Sequence, residues 1–113
     1  MLAELKCSVC QADDPPMPDE EIQACLEKVP KWQVIEEDRV KKLRRVFHFD
    51  DYIATLAFTN AVAQAAEEAG HHPALLTEWG RVTVTWWTHK IHGLHRNDFI
   101  MAARTDLLYL GKR

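Results

Sequence analysis

The sequence predicts an α+β fold, a two-layer sandwich in which helices cover one face of a four-stranded antiparallel sheet. Three observations support this prediction. Apolar residues recur at helical spacing in three segments, two pairs of short runs have the composition of strands, and turn residues separate the runs of each pair. The predicted order of elements is therefore helix, two strands, long helix, two strands and helix.

A leader of residues 1–18 is expected before a single domain of residues 19–113. Three prolines in the last four positions of the leader exclude both a helix and a strand there. The leader carries a CxxC pair, Cys7 and Cys10, for which an exposed arm competes with a metal or redox role. With Cys25 the cysteine count is odd and no export signal is apparent, so we expect reduced thiols in the cytoplasm.

The first helix is predicted over about residues 19–28, with Asp19 as its N-cap and Pro30 after its end. Two strands follow at residues 32–36 and 40–49. Alternation in the second strand is imperfect, which is typical of an edge strand or of a hairpin partner. This half of the domain is therefore expected to be a helix followed by a pair of strands.

The longest helix is predicted from Tyr52 to Ala69, after a cap at Asp50 or Asp51. Its apolar and small residues recur with a helical period, and we expect the face that they form to pack on the sheet. The residues of this predicted face are Ile53, Leu56, Ala57, Asn60, Ala61, Gln64 and Ala65.

A hairpin is predicted after the long helix, with strands at 74–78 and 82–89 and a turn at Gly80. Because side chains alternate along a strand, we expect His89 on the more polar face of the second strand. The last helix is expected to begin after an N-cap at Asn97. The core face of the second strand is expected to carry Val82, Val84 and Trp86.

The overall composition excludes two classes of partner. The net charge is −3 and the pI is about 6.0, so we expect no basic surface for nucleic acid. No apolar run approaches the roughly 20 residues that span a bilayer, so we expect no membrane segment.

Histidines are concentrated around one stretch of the chain. His71 and His72 lie between Gly70, which suits a helix end, and Pro73, which favours extended backbone before it. Imidazole moves protons near neutral pH, so these residues and His89 suit a proton donor and acceptor. Two alternatives are hydrogen bonding alone and metal binding, although no HExxH motif is present. The candidate metal ligands are His71, His72, His89, His92 and His95.

This stretch and three later residues resemble the pterin-4a-carbinolamine dehydratases. The pattern of that family is an acidic residue, His-His-Pro after three positions, an aromatic residue six positions on, a histidine ten further and an aspartate nine further. The sequence meets every spacing with Glu67, residues 71–73, Trp79, His89 and Asp98.

The resemblance implies dehydration of 4a-hydroxytetrahydropterin to quinonoid dihydropterin, which lets aromatic amino acid hydroxylases reuse their cofactor. It implies no metal and no organic cofactor. The catalytic residues would be His71, His72 and His89, the first and last as the acid/base pair, with Trp79 and Asp98 in supporting roles. The residues that bind the substrate would be Glu67, His71, His72, Pro73, Thr88, His89, Lys90 and Ile91.

The resemblance also implies a pterin as the small-molecule partner and a functional coupling to phenylalanine hydroxylase. Free sheet edges can pair between subunits, so we expect a homodimer or a homotetramer. Two other functions stay open on the same fold: a non-catalytic module that binds or regulates another protein, and a dehydratase-like protein in molybdenum cofactor metabolism.

Overall fold

The computed structural model describes residues 2–5 and 15–112, and its elements follow the predicted order. In this part of the chain, two 3₁₀ turns accompany three helices and four strands. None of these helices combines the length and the hydropathy of a membrane span. The helices and strands are α1 (Asp19–Leu26), β1 (Gln33–Glu37), β2 (Val40–His48), α2 (Tyr52–Ala69), β3 (Ala74–Glu78), β4 (Arg81–Trp86) and α3 (Arg96–Lys112).

The four strands form one antiparallel sheet in the order β1-β2-β4-β3. The pairs β1–β2 and β3–β4 confirm the predicted hairpin partners, and β2 also pairs with β4, where Leu43 faces Trp86. β2 is therefore a central strand, and the alternative of an edge strand was wrong. Its alternation is imperfect because Arg45 lies on the core side, where its guanidinium pairs with Asp106 (2.6 Å) and covers the ring of Phe47.

The hydrophobic core lies between one face of the sheet and the helices, which confirms the two-layer arrangement. Val82, Val84 and Trp86 of β4 are all buried in it, on the face that the alternation predicts. The other face of the sheet, which we call the open face, points away from the helices. The side chains on this face of β2 and β4 include those of Lys42, Arg44, Val46, Arg81, Thr83 and Thr85.

The packing face of α2 differs from the predicted one. Phe58, Val62 and Ala66 are buried in the core, whereas Ile53 is 74% exposed. The helix carries two apolar stripes, and the stripe with Phe58 turns inward because its ring packs against that of Phe47, at 4.8 Å between centroids. Of the predicted face, Ala61 and Ala65 are half-buried, and Leu56, Ala57, Asn60 and Gln64 are exposed.

The helix caps are only partly those predicted. Asp51 caps α2, because its Oδ1 accepts a hydrogen bond from the N–H of Ala54 (2.7 Å). Asp19 is the first residue of α1 rather than its cap, and its carboxylate pairs with Lys41. The cap position of α1 is occupied by Pro18, whose fixed φ suits the entry to a helix.

Both described parts of the predicted leader contact the domain. Residues 2–5 lie against α3, where the guanidinium of Arg104 donates to two of their backbone carbonyls. The N–H of Met17 donates to the carbonyl of Leu94 (3.0 Å). The CxxC pair of residues 7–10 lies outside the described residues. Residues 2–5 therefore lie against the middle of α3, whereas Met17 lies against the loop that precedes this helix.

Candidate functional site

The end of α2 sets the position of the histidine pair. Gly70 has a φ of 65°, in the left-handed region that glycine adopts without strain. Its N–H donates to the carbonyl of Glu67 (3.2 Å), and the N–H of His71 donates to the carbonyl of Ala66 (3.1 Å). These two bonds form the Schellman motif, which ends the helix. The predicted helix end is confirmed, and His72 follows in the segment that leads to β3.

His71 is held on two sides. Its Nε2 lies 2.6 Å from Oδ1 of Asp98, and its ring stacks on that of Trp86 at 5.7 Å between centroids and 5° between planes. The side chain of His71 is only 11% exposed. A carboxylate accepts hydrogen bonds, so the proton of this contact belongs on Nε2 and the neutral ring keeps its lone pair on Nδ1. The contacts thus fix both the orientation and the tautomer of this imidazole.

Asp98 is the buried centre of this arrangement, with 0% of its side chain exposed. Its Oδ2 accepts hydrogen bonds from the hydroxyl of Thr88 and from the backbone N–H of His95, both at 2.9 Å. Together with His71, three donors converge on one carboxylate, which offsets the cost of burying its charge. The sequence predicts only a supporting role for Asp98, and the structure adds direct contacts with His71 and Thr88.

The start of α3 brings Asp98 to this position. The helix begins at Arg96, and the side chain of Asp98 in its first turn reaches back to the N–H of His95. The Nδ1 of His95 accepts from the N–H of Asn97 (3.1 Å), so His95 takes the cap role that the sequence predicts for Asn97. Asn97 is instead buried. Histidine is not among the residues preferred at an N-cap, which is why the pattern favours the asparagine.

The segment after β4 forms a short turn rather than a longer strand. β4 ends at Trp86, and a 3₁₀ turn covers His89–Ile91. Thr88 closes this turn, because its N–H donates to the carbonyl of Gly93 (2.9 Å). Ile91 is buried and anchors the turn, whereas Lys90 beside it is exposed. The predicted strand of residues 82–89 is therefore too long by three residues.

His89 differs from His71 in its surroundings. Its side chain is exposed, and its ring contacts that of Trp87 at 4.5 Å between centroids and 35° between planes. Thr88, the residue before it, bonds to Asp98, and Asp98 bonds to His71. A short series of contacts therefore connects His71 to the turn that carries His89.

His72 and Glu67 form a separate pair at the surface. The Nε2 of His72 lies 2.8 Å from Oε1 of Glu67, and both side chains are exposed. Exposed ion pairs contribute little to stability, so this pair can separate around a ligand at low cost. Pro73 is half-buried directly after it, where the chain enters β3.

Trp79 lies apart from His71, His72 and His89. It is 71% exposed in the turn between β3 and β4, at the opposite end of β3 from Pro73. The structure therefore places this predicted supporting residue at the surface and does not bring it to the site.

The metal alternative finds no cluster of ligands in the described ranges. Across residues 2–5 and 15–112, no group of three or more His, Cys, Asp or Glu side chains is arranged to hold a metal ion. His95 is occupied as a helix cap, and His92 is exposed after the 3₁₀ turn.

Two tryptophans at the site were not singled out from the sequence as functional residues. Trp86 belongs to the predicted core face, but its stack on His71 depends on how the chain returns after α2. Trp87 has a signal in the sequence, since it lies two residues before His89 and side chains two apart in a strand share a face. That signal predicts proximity to His89 without indicating a ring contact.

The fold and the site together define a class of protein. It is a small α+β sandwich in which Asp98, buried at the start of α3, bonds to His71, and the exposed His72 and His89 follow α2 and β4. Imidazoles near neutrality, one of them oriented by a carboxylate, are groups suited to moving protons on a bound small molecule.

Comparison with known proteins identifies the family. The family model described as pterin 4 alpha carbinolamine dehydratase matches residues 15–108, and the chain belongs to this family. A protein of Marinobacter nauticus, provisionally named a pterin-4-alpha-carbinolamine dehydratase, is 58% identical over 108 residues, which are 96% of this chain and 97% of that protein.

Two solved structures are similar in fold. One is described as a transcriptional coactivator/pterin dehydratase from Brucella melitensis, with a TM-score of 0.75 and 28% identity, covering 83% of this chain and 98% of that one. The other is described as a pterin dehydratase-like protein identified as a RuBisCO assembly factor in the α-carboxysome. Its TM-score is 0.60 and its identity 29%, covering 70% of this chain and 89% of that one.

Proposed function

We propose that the protein dehydrates 4a-hydroxytetrahydropterin to quinonoid dihydropterin by histidine general acid–base catalysis. The observation that carries this proposal is the buried carboxylate of Asp98, 2.6 Å from Nε2 of His71, in a chain of the pterin-4a-carbinolamine dehydratase family. A contact of this kind prepares an imidazole to accept a proton and stabilises the positive charge that follows.

The reaction needs one proton donor and one proton acceptor. The C4a–O bond breaks as the hydroxyl takes a proton and leaves as water. The neighbouring pterin nitrogen loses its own proton, and its electrons form the C4a=N double bond. Protons given and taken are equal in number, so neither a metal nor an organic cofactor has to supply anything.

The two imidazole environments suggest which residue has which role. His71 is the base, because Asp98 keeps a proton on Nε2 and leaves Nδ1 to take the proton of the pterin nitrogen. His89 is the acid, because its exposed ring can regain a proton from water after each turnover. Each role contributes about 100- to 10,000-fold to the rate in typical enzymes.

The remaining residues bind and enclose the substrate. His72 and Glu67, the exposed pair, offer a donor and an acceptor to the polar edge of the pterin ring. In this role His72 orients the substrate for proton transfer by His71 and His89. By the family resemblance, the other residues proposed to bind the pterin are Pro73, Thr88, Lys90 and Ile91, which lie on the segments after α2 and β4.

In the cell this reaction yields quinonoid dihydropterin, which a separate two-electron reduction must convert to tetrahydropterin before aromatic amino acid hydroxylases can use it again. We place it in the cytoplasm, functionally coupled to phenylalanine hydroxylase. The direct test follows the ultraviolet decay of chemically prepared 4a-hydroxytetrahydropterin with and without the protein.

The decay should be faster with wild-type protein, and His89→Ala should lose most of that acceleration. His48→Ala is the matched control, because His48 is an exposed histidine at the end of β2 with no assigned role. An inactive wild-type protein, or a His89→Ala variant as fast as wild type, contradicts the proposal.

We also propose that the chain forms a homodimer or a homotetramer. Two features support this: β1 and β3 are sheet edges, and the outward stripe of α2 exposes Ile53 and Leu56. Ile53→Glu should lower the mass measured by sedimentation, whereas Gln64→Glu on the same helix should not. A wild-type protein that sediments as a monomer contradicts this proposal.

A second candidate function is a protein-binding module. The structural similarity to a RuBisCO assembly factor and the apolar outward stripe of α2 favour it. This function predicts that purified phenylalanine hydroxylase binds equally well after His71, His72 and His89 are all replaced by alanine. It also predicts no acceleration of pterin dehydration by the wild-type protein.

A further inference from the structure

The open face of the sheet carries a row of contacts that ends at His89 and that the proposed reaction does not use. The Nζ of Lys42 lies 4.1 Å from the centroid of the Trp87 ring. The same ammonium donates to Oε1 of Glu37 (3.1 Å). The ring of Trp87 in turn contacts that of His89, at 4.5 Å between centroids. One continuous series of contacts thus leads from β1 to His89.

This row is anchored in the strand pairing. Lys42 is paired with Ile35 in the β1–β2 register, and its side chain is only 14% exposed. Glu37 also accepts from Arg44 (3.2 Å), and the Nε of Arg44 donates to Thr85 of β4 (3.0 Å). The ammonium is therefore held in place by hydrogen bonds on β1 and β2, and from there it makes a cation–π contact with the indole.

His89 needs such support more than His71 does. It lies on a three-residue 3₁₀ turn with an exposed side chain. In the described part of the chain, the ring of His89 makes no hydrogen bond, and its contact with Trp87 is the interaction that orients it. A free imidazole on a turn samples several rotamers, most of which point away from a substrate held at His71.

We propose that Trp87, itself fixed by Lys42, is a positioning residue that orients the imidazole of His89 for proton transfer. Trp87 needs no contact with the substrate for this role. The indole limits the rotamers of His89, so more of the protein is competent when substrate arrives. This inference rests on the proposed dehydratase activity, in which His89 is the acid.

The test compares kcat and KM for Trp87→Ala, Trp87→Phe and Lys42→Met in the ultraviolet decay assay. Trp87→Ala should lower kcat about 10- to 100-fold with little change in KM, because a misplaced acid slows chemistry more than binding. Trp87→Phe should recover most of the rate, since a ring remains against His89. Lys42→Met keeps the length of the side chain without the charge, and we expect a two- to fivefold loss, about the weight of one cation–π contact.

Two further measurements separate positioning from a general loss of structure. In a His89→Ala background, Trp87→Ala should cause no additional loss of rate, because the residue that it orients is already absent. In wild-type protein, the ring protons of His89 should have NMR shifts displaced by the indole ring current, and Lys42→Met should reduce that displacement without removing a ring. The second measurement remains available if Trp87→Ala does not fold.

Each outcome decides between the two proposals. An inactive wild-type protein overturns the proposed function. An active wild-type protein with a fully active Trp87→Ala variant overturns this inference alone. Equal further losses from Trp87→Ala with and without His89, or ring protons of His89 at unperturbed NMR shifts, also overturn it. The inference is supported if kcat falls in Trp87→Ala, recovers in Trp87→Phe and falls no further when Trp87→Ala is added to His89→Ala.

Discussion

The two histidines proposed to move protons have opposite environments. His71 is nearly buried, bonded to Asp98 and stacked on Trp86. His89 is exposed on a turn and held by a contact with Trp87. The difference fits the proposed division of labour. In that proposal the nearly buried imidazole keeps one tautomer and one orientation between turnovers, whereas the exposed one exchanges protons with water.

Replacing Asp98, the carboxylate that accepts from His71, should have the largest effect on kcat and on stability. In Asp98→Asn the amide presents one acceptor oxygen to three donors, and His71 loses the charge that fixes its tautomer. We expect kcat to fall about 1,000-fold, within the usual range for general acid–base groups. Stability should also fall by about 3 kcal/mol, since buried donors lose a charged partner. Steady-state kinetics and urea unfolding measure the two losses, and an Asp98→Asn variant with near wild-type kcat contradicts the account.

A milder change to the same environment should have a smaller effect. Thr88→Val removes one of the donors to Asp98 while nearly keeping the shape of the side chain. We expect a loss of about 1–2 kcal/mol in the free energy of unfolding and a reduction in kcat smaller than that of Asp98→Asn. Thr83→Val, on the open face, is the matched control and should be nearly neutral. Equal losses of unfolding free energy in Thr88→Val and Thr83→Val would show that the hydrogen bond from Thr88 to Asp98 does not stabilise the protein, against this prediction.

Substitutions at the exposed histidines and their partners should have little effect on the free energy of unfolding. His72 and Glu67 are an exposed pair, so Glu67→Gln should alter the free energy of unfolding by less than about 0.5 kcal/mol. Its effect should appear instead in KM for the pterin, because Glu67 is proposed to bind the polar edge of the ring. Urea unfolding and KM are measured on the same preparation, and a large stability loss with unchanged KM contradicts the assignment.

The smallest effect is expected at exposed carboxylates that contact neither histidine directly, in the acid limb of the stability curve. Hydrogen bonds from Lys42 and then Arg44 hold the pKa of Glu37 below its ordinary value of 4.5, and the bond from Arg81 does the same to the pKa of Glu78. A lowered pKa in the folded state means stability that is present above pH 4.5 and lost as the pH falls through the lowered pKa. Glu37→Gln should make the decline below pH 4.5 shallower in urea unfolding. An unchanged acid limb contradicts this.

The fold could be predicted from the sequence where the cues are local. The cap at Asp51, the helix end at Gly70 and the two hairpins are each determined by a few neighbouring residues. The inward face of α2 could not be predicted, because the helix has two apolar stripes. Which stripe packs on the sheet depends on the aromatic ring of Phe47 in β2. The central position of β2 was ambiguous for a similar reason. Pairing between hairpins is not visible in local alternation.

The site could be predicted as a set of residues but not as a set of contacts. The spacing and the family resemblance select His71, His89 and Asp98. The bond between His71 and Asp98 joins residues 27 apart and depends on how α3 begins. That start is set by His95, a residue type that N-cap preferences do not favour. Trp79 meets the spacing of the family pattern, yet the structure places it at the surface, so a matching spacing alone does not show that a residue lies at the site.

The central claim is that His71 and His89 serve the same bound pterin from different environments. Proton–nitrogen NMR correlations of the imidazoles, recorded while a stable dihydropterin is added, test this most directly. The account predicts that the ring signals of both residues shift with one common dissociation constant, while those of His48 stay in place. A pterin that shifts the signals of His71 and leaves those of His89 unchanged would contradict it.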